Sequence, residues 1–210
     1  WDSNGQVLWI MERYLRLSGD YPNNRWLRSI YKGIQWIKHK RCDRDQPVPH
    51  AGLFPAGFSA EHLGPNDYYY WDDFWGLAGL KAAGRIVENQ SLKRRQDIAA
   101  EERDFEDCIF GSIQKIPPQR SQGGIPATPY RRMDAGAIGS MAADYPLQLT
   151  EAMDERIRHT MEFLIHNCFY QGAFFQDMIH SGINIYLTLA IAQTLLRRED
   201  SRYREMIRVA

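Results

Sequence analysis

Cysteine is scarce: Cys42, Cys108 and Cys168 are the only three in 210 residues, odd in number and far apart. A disulfide framework or a zinc knuckle needs paired or closely spaced thiols, so these read as free, buried ones. Neither sign of charge is in excess, with 26 Lys and Arg against 26 Asp and Glu. That argues against nucleic acid, whose phosphates call for a basic surface. No apolar run approaches the roughly 18 residues needed to cross a bilayer. The cationic stretches are mixed in sign, so no membrane partner is expected. The six histidines show no H-x-x-x-H pair, and no metal is expected. "GFSAE" lacks the second glycine of a nucleophile elbow, and neither glycine-rich phosphate motif is present. No cofactor is implied. The chain opens on "WDSNGQ" without an initiator Met, so a missing signal peptide says little about compartment.

What the sequence has in quantity is helical pattern. Helices are predicted near residues 4–18, 22–40, 71–88, 91–115, 135–147, 151–167 and 183–198, with an eighth from Ser201. Asp20 and Pro22 after Gly19 mark a stop and restart, and Thr150 and Ser201 are candidate N-caps. Two kinds of helix alternate. Residues 183–196 and 135–143 carry no charge, and 74–86 has only Lys81 and Arg85 among many Gly and Ala. Such helices are expected to be buried on most sides, their small residues permitting close approach. Between them lie amphipathic or charge-rich helices, as at 91–107 and 22–40. Links from inner to outer helices are short, whereas 41–70, 116–134 and 168–182 are long and rich in Gly, Pro and aromatics. Consecutive helices run antiparallel, so every long loop should emerge at one end, where function usually sits. The expected fold is all-α, an (α/α) toroid of helical hairpins forming one domain over 1–210.

Three stretches resemble the six-hairpin glycosidases, the toroids of the glucoamylase and trehalase kind: "WDSNGQVLWIMERYLRLSGD", "GLFPAGFSAEHLGPNDYYYWDDFWGLAGLKAAGRI" and, more loosely, "GAFFQDMIHSGINIYLTLAIAQTLLRR". The resemblance covers nearly the whole chain as a pattern of hairpins. It implies a glycoside hydrolase and a carbohydrate as partner. A closed ring of that family has twelve helices against about eight here. The ring is therefore expected to be open, part of a longer chain, or completed by an oligomeric partner. Where related enzymes present a glutamate base, this chain has Gln176 and Asp177.

Glycoside hydrolysis needs two carboxyl groups across the scissile bond, one a proton donor and one activating water. Glu61 is the expected acid, in a loop whose aromatic neighbours could desolvate it; the alternative is a solvated loop glutamate. Asp177 is the expected base, with Gln176 a hydroxyl partner; the alternative is a cap or loop hydrogen-bonder. Asp72 or Asp73 would bind sugar hydroxyls while the other caps the third inner helix. Trp71 or Tyr70 would stack on the sugar's apolar face, and Phe74 and Trp75 belong to the core. Arg131 and Asp134 would contact sugar or pair with each other, and Asp2 would serve sugar or cap. His180 is a weaker acid–base candidate. A non-catalytic sugar-binding relative, or an epimerase using His62 and His180, are the alternatives.

Overall fold

The computed structural model describes residues 1–58, 65–88, 92–177 and 181–210. Among the described residues helix accounts for 60% and strand for 5%, which makes this an all-α, helical-hairpin fold. The chain divides into two compact units. Unit 1 comprises 1–55 and 72–114; unit 2 comprises 56–71 and 115–210.

Unit 1 holds α1 (Ser3–Ser18), α2 (Asn24–Lys40), α4 (Leu92–Gln114) and all but the first two residues of α3 (Tyr70–Ile86). Gly19 ends α1 in the left-handed conformation, its N–H returning to Leu15 O. The restart lies later than expected. Asn23 caps α2, accepting from the N–H groups of Arg25 and Trp26, because its amide oxygen reaches both. Ile30, Ile34 and Ile37 of α2, Phe74, Leu77 and Leu80 of α3, and Phe105 and Ile109 of α4 form the core. Helices α1 and α3 touch backbone to backbone, since a Cβ on Gly5 would lie 2.1 Å from Trp75 O, and one on Gly79 2.5 Å from Gly5 Cα. Arg41 fastens the start of the first long loop. Its buried guanidinium binds Gly52 O at 2.7 Å, Glu101 at 2.5 Å and Asp104 at 2.7 Å, above the Phe105 ring.

Unit 2 holds α5 (Pro118–Ser121), a 3₁₀ helix (Ala135–Ala143), α6 (Glu155–Asn167), α7 (Ile185–Arg197) and α8 (Tyr203–Val209). Three short strands, β1 (Phe169–Tyr170), β2 (Ala173–Gln176) and β3 (Gly182–Ile183), form an antiparallel sheet inside the third long loop. Several expectations are corrected here. Residues 135–147 do not form an α-helix. All nine residues of the 3₁₀ segment are buried, and all but Ile138 and Met141 are small. Pro146 disfavours helical continuation. Asp154, not Thr150, caps α6 by accepting from Arg156 N–H; Thr150 is buried in the preceding turn. Ser201 does not cap α8, whose N-cap position is Arg202.

The three cysteines are free, as expected, but half-buried rather than buried. Nor is every apolar helix enclosed. Helix α7 exposes Ile185, Tyr186 and Leu196, and α1 exposes Val7, Ile10, Tyr14 and Leu17 at helical spacing. The all-round burial anticipated for residues 183–196 is therefore not reached. Among the described residues no helix is long and apolar enough to cross a membrane.

Candidate functional site

Glu61, His62 and His180 lie outside the described residues. The neck of the loop that carries Glu61 is nevertheless defined. Gly57 and Asp67 form an antiparallel bridge, with N–H···O distances of 3.0 and 3.1 Å. Asp67, which the sequence reading passed over, does more than close the neck. One of its oxygens accepts from Tyr68 N–H (2.8 Å) and the other from the Thr128 hydroxyl (2.9 Å). Tyr70 N–H donates to Ala127 O at 3.0 Å. The second half of the first long loop is thus tied to the second long loop.

Tyr69, fully buried, donates its hydroxyl to Pro65 O at 2.8 Å. Burial pushes its phenol up, against the nearby Arg131 guanidinium, with Asp67 and Asp134 also in range. Arg131 and Asp134 pair at 2.7 Å, and Asp134 also caps the 3₁₀ helix through Gly136 N–H. The third long loop joins them through Cys168. Its thiol is pushed up to about 11 by burial and then by the negative fields of Asp134 and Asp177. Asp177 is exposed, with Ser181 Oγ at 3.5 Å. Gln176 accepts from Asn184 Nδ2 (3.1 Å), while Asn184 Oδ1 caps α7 at Leu187 N–H. Within unit 2, then, the first and second long loops meet close to Arg131 and Asp134, while Asp134 and Asp177 both act electrostatically on Cys168.

The two aromatic candidates separate. Tyr70 is 0% exposed and offers no ring face for stacking, so that expectation is corrected. Trp71, at 9%, lines a cleft of about 320 Å³ whose other walls include Met141, Tyr145, Tyr186 and Gln193.

Unit 1 collects Asp2, Asp72 and Asp73; both of the adjacent pair lie in the first turn of α3, where their charge would favour its dipole, but their side chains bond elsewhere. Asp72 Oδ1 accepts from the backbone nitrogens of Trp1 (2.9 Å) and Asp2 (3.1 Å). Asp73 Oδ1 accepts from Phe54 N–H (2.8 Å). Asp73 is 0% exposed, which leaves it out of reach of a sugar. Asp2 occupies the N-cap position of α1 without a side-chain cap bond, and its Oδ2 accepts from Gln6. Phe74 and Trp75 are buried, in keeping with core packing.

Burial raises the carboxyls of both Asp72 and Asp73, Asp73 by much the more. A carboxyl whose pKa is raised by folding stays protonated in the native state after the unfolded chain has lost its proton. Stability therefore falls as pH rises from the ordinary carboxylate range through the folded value, then levels off. Asp73→Asn keeps an acceptor for Phe54 N–H and removes this titration. Thermal unfolding from about pH 4 to about pH 8, spanning the ordinary Asp range, should show a decline in the wild type that is shallower in Asp73→Asn. Parallel curves would show that Asp73 does not titrate in this range.

No family model and no curated protein matches this chain. Solved structures do. A glycosidase carrying a glutamate-to-alanine substitution superposes with a TM-score of 0.75 at 13% identity, over 99% of this chain and 52% of that one. The chain shares a glycosidase fold. A wild-type glycosidase gives 0.72 at 14% identity, and a second glutamate-to-alanine glycosidase, in complex with glucose, gives 0.69 at 14%. Both are covered to the same extents, 99% and 52%, so this chain spans about half the length of the glycosidases it matches.

Proposed function

We propose that the chain belongs to a glycoside hydrolase of the six-hairpin, glucoamylase- and trehalase-like kind, acting on an oligo- or polysaccharide by general acid/base catalysis with inversion. Glu61 is the acid and Asp177 the base. The tie between the first and second long loops in unit 2 supports this reading, because Thr128 joins the Gly57–Asp67 bridge to the loop that leads to Arg131 and Asp134. The glycosidase fold supports it, and the neighbour with bound glucose directs attention to glucosides.

In chemical terms, an exposed side chain such as Asp177 has access to water, as a base requires. The Arg131–Asp134 pair presents a donor and an acceptor to sugar hydroxyls. Trp71 supplies an apolar surface in the neighbouring cleft. The occupied Gln176 amide favours a second reading, a sugar-binding relative without turnover. Incubation with α- and β-linked gluco-oligosaccharides decides between them. Release of free glucose supports the hydrolase, whereas binding of those sugars with no release over days supports the binding protein.

A further inference from the structure

Helix α1 uses one side inside unit 1 and turns an apolar side outward. Gly5, Leu8 and Glu12 are its buried positions, and Gly5 lies against the backbone of α3. On the opposite side of the helix stand Val7, Ile10, Tyr14 and Leu17, exposed by 55%, 57%, 49% and 84%. Their steps of three, four and three residues put all four on one line, the spacing with which one helix packs along another. Single apolar residues on a surface are ordinary, whereas a contiguous stripe marks a contact.

Tyr14 is already held in place. Its ring lies 5.7 Å from that of Trp26, and its hydroxyl donates to Asp20 at 3.0 Å. A side chain ordered beforehand loses little freedom when it is covered. The stripe itself carries no charge. Of the positions that flank it, Asn4, Gln6, Met11, Arg13 and Ser18, only Arg13 is charged. Its guanidinium lies 4.9 Å from the centre of the Trp9 ring and 3.7 Å from the Glu12 carboxylate.

We propose that this stripe is an interface between two copies of the chain, paired α1 to α1 in antiparallel sense. In that pairing Val7 meets Leu17 of the second copy and Ile10 meets its Tyr14, and two-fold symmetry repeats both contacts. All four side chains are then covered at once, and the helix dipoles run head to tail. Arg13 flanks the two-fold axis, so the Glu12 carboxylate beside it offsets the approach of two like charges. One pair of 16-residue helices is small beside the roughly 800 Å² per partner of a standard interface. The dimer is therefore weak and depends on concentration. The proposal concerns unit 1 alone and stands apart from the glycosidase reading.

The test is sedimentation equilibrium of the 210-residue chain from micromolar to millimolar concentration. The expected result is a shift from monomer to dimer mass across that range. Ile10→Lys should weaken the dimer roughly tenfold or more, the loss typical of a central interface residue. Its thermal midpoint, read at a concentration where the wild type is monomeric, should be unchanged, because the side chain is exposed. Leu17→Ser, in the last turn of α1, should weaken the dimer as well. Ile207→Lys, at an equally exposed isoleucine of α8, should leave it as it was. A wild type that stays monomeric throughout overturns the interface and leaves the stripe to another occupant. A dimer indifferent to Ile10→Lys and Leu17→Ser, or weakened as much by Ile207→Lys, also overturns it, because association then runs through another face.

Discussion

Glu61→Gln is expected to lower kcat for glycoside hydrolysis by roughly 10²–10⁴-fold, the range a positioned general acid supplies, with KM little changed. The amide keeps the size and hydrogen-bonding shape of the carboxyl and removes only the transferable proton, so the loss reports chemistry rather than folding. The expectation follows from where the loop is held. Its neck is closed by the Gly57–Asp67 bridge, and Asp67 is anchored in turn by Thr128 in the loop that leads to Arg131 and Asp134. Asp177→Asn should cost as much, since the inverting reaction stalls equally without its base. A loss below about tenfold in Glu61→Gln would remove it as the acid.

The second large effect concerns folding. Gly79→Ala should destabilise the protein by roughly 3 kcal/mol or more, at or beyond the upper end of ordinary overpacking. The added Cβ would sit 2.5 Å from Gly5 Cα and 2.8 Å from Gly5 O, atoms that belong to a helix backbone and cannot rotate away. Relief requires α1 and α3 to separate, which loosens everything packed along them. Gly111 provides the contrast. It lies inside α4, and a Cβ there meets nothing within 4 Å. Gly111→Ala should therefore raise stability by about 0.5–1 kcal/mol, the helix-propensity difference alone. Chemical denaturation of both variants checks the pair, and similar values for the two would mean that the α1–α3 contact is not tight.

How much of this was legible in the sequence depends on the range of the interaction concerned. Periodicity placed α1, α3 and α4 within a residue or two, because helical stripes and end signals such as Gly19 act locally. The Arg131–Asp134 pair was readable for the same reason, being three residues apart. The roles of Asp72 and Asp73 were not. Their partners lie 71 and 19 residues away, at Trp1 and Phe54. Tyr70 and Trp71 looked alike in sequence, yet only packing decides that one is enclosed and the other lines a cleft. The hairpin at 169–176 left only a faint sign in "FYQGAFF", a turn pair between aromatic runs too short to show alternation. Asp67 was hidden in plain view within "GPND", where a turn residue and a structural anchor look the same.

The separation of the Glu61 and Asp177 carboxyl groups tests their assignment most directly. A crystal structure of the protein with a bound glucoside should place their carboxyl groups roughly 6.5–9.5 Å apart on opposite sides of the glycosidic bond, leaving room for the attacking water. A separation of about 5–5.5 Å would instead mark a retaining enzyme, and carboxyl groups lying on the same side of the sugar or well beyond that range would contradict their assignment as acid and base.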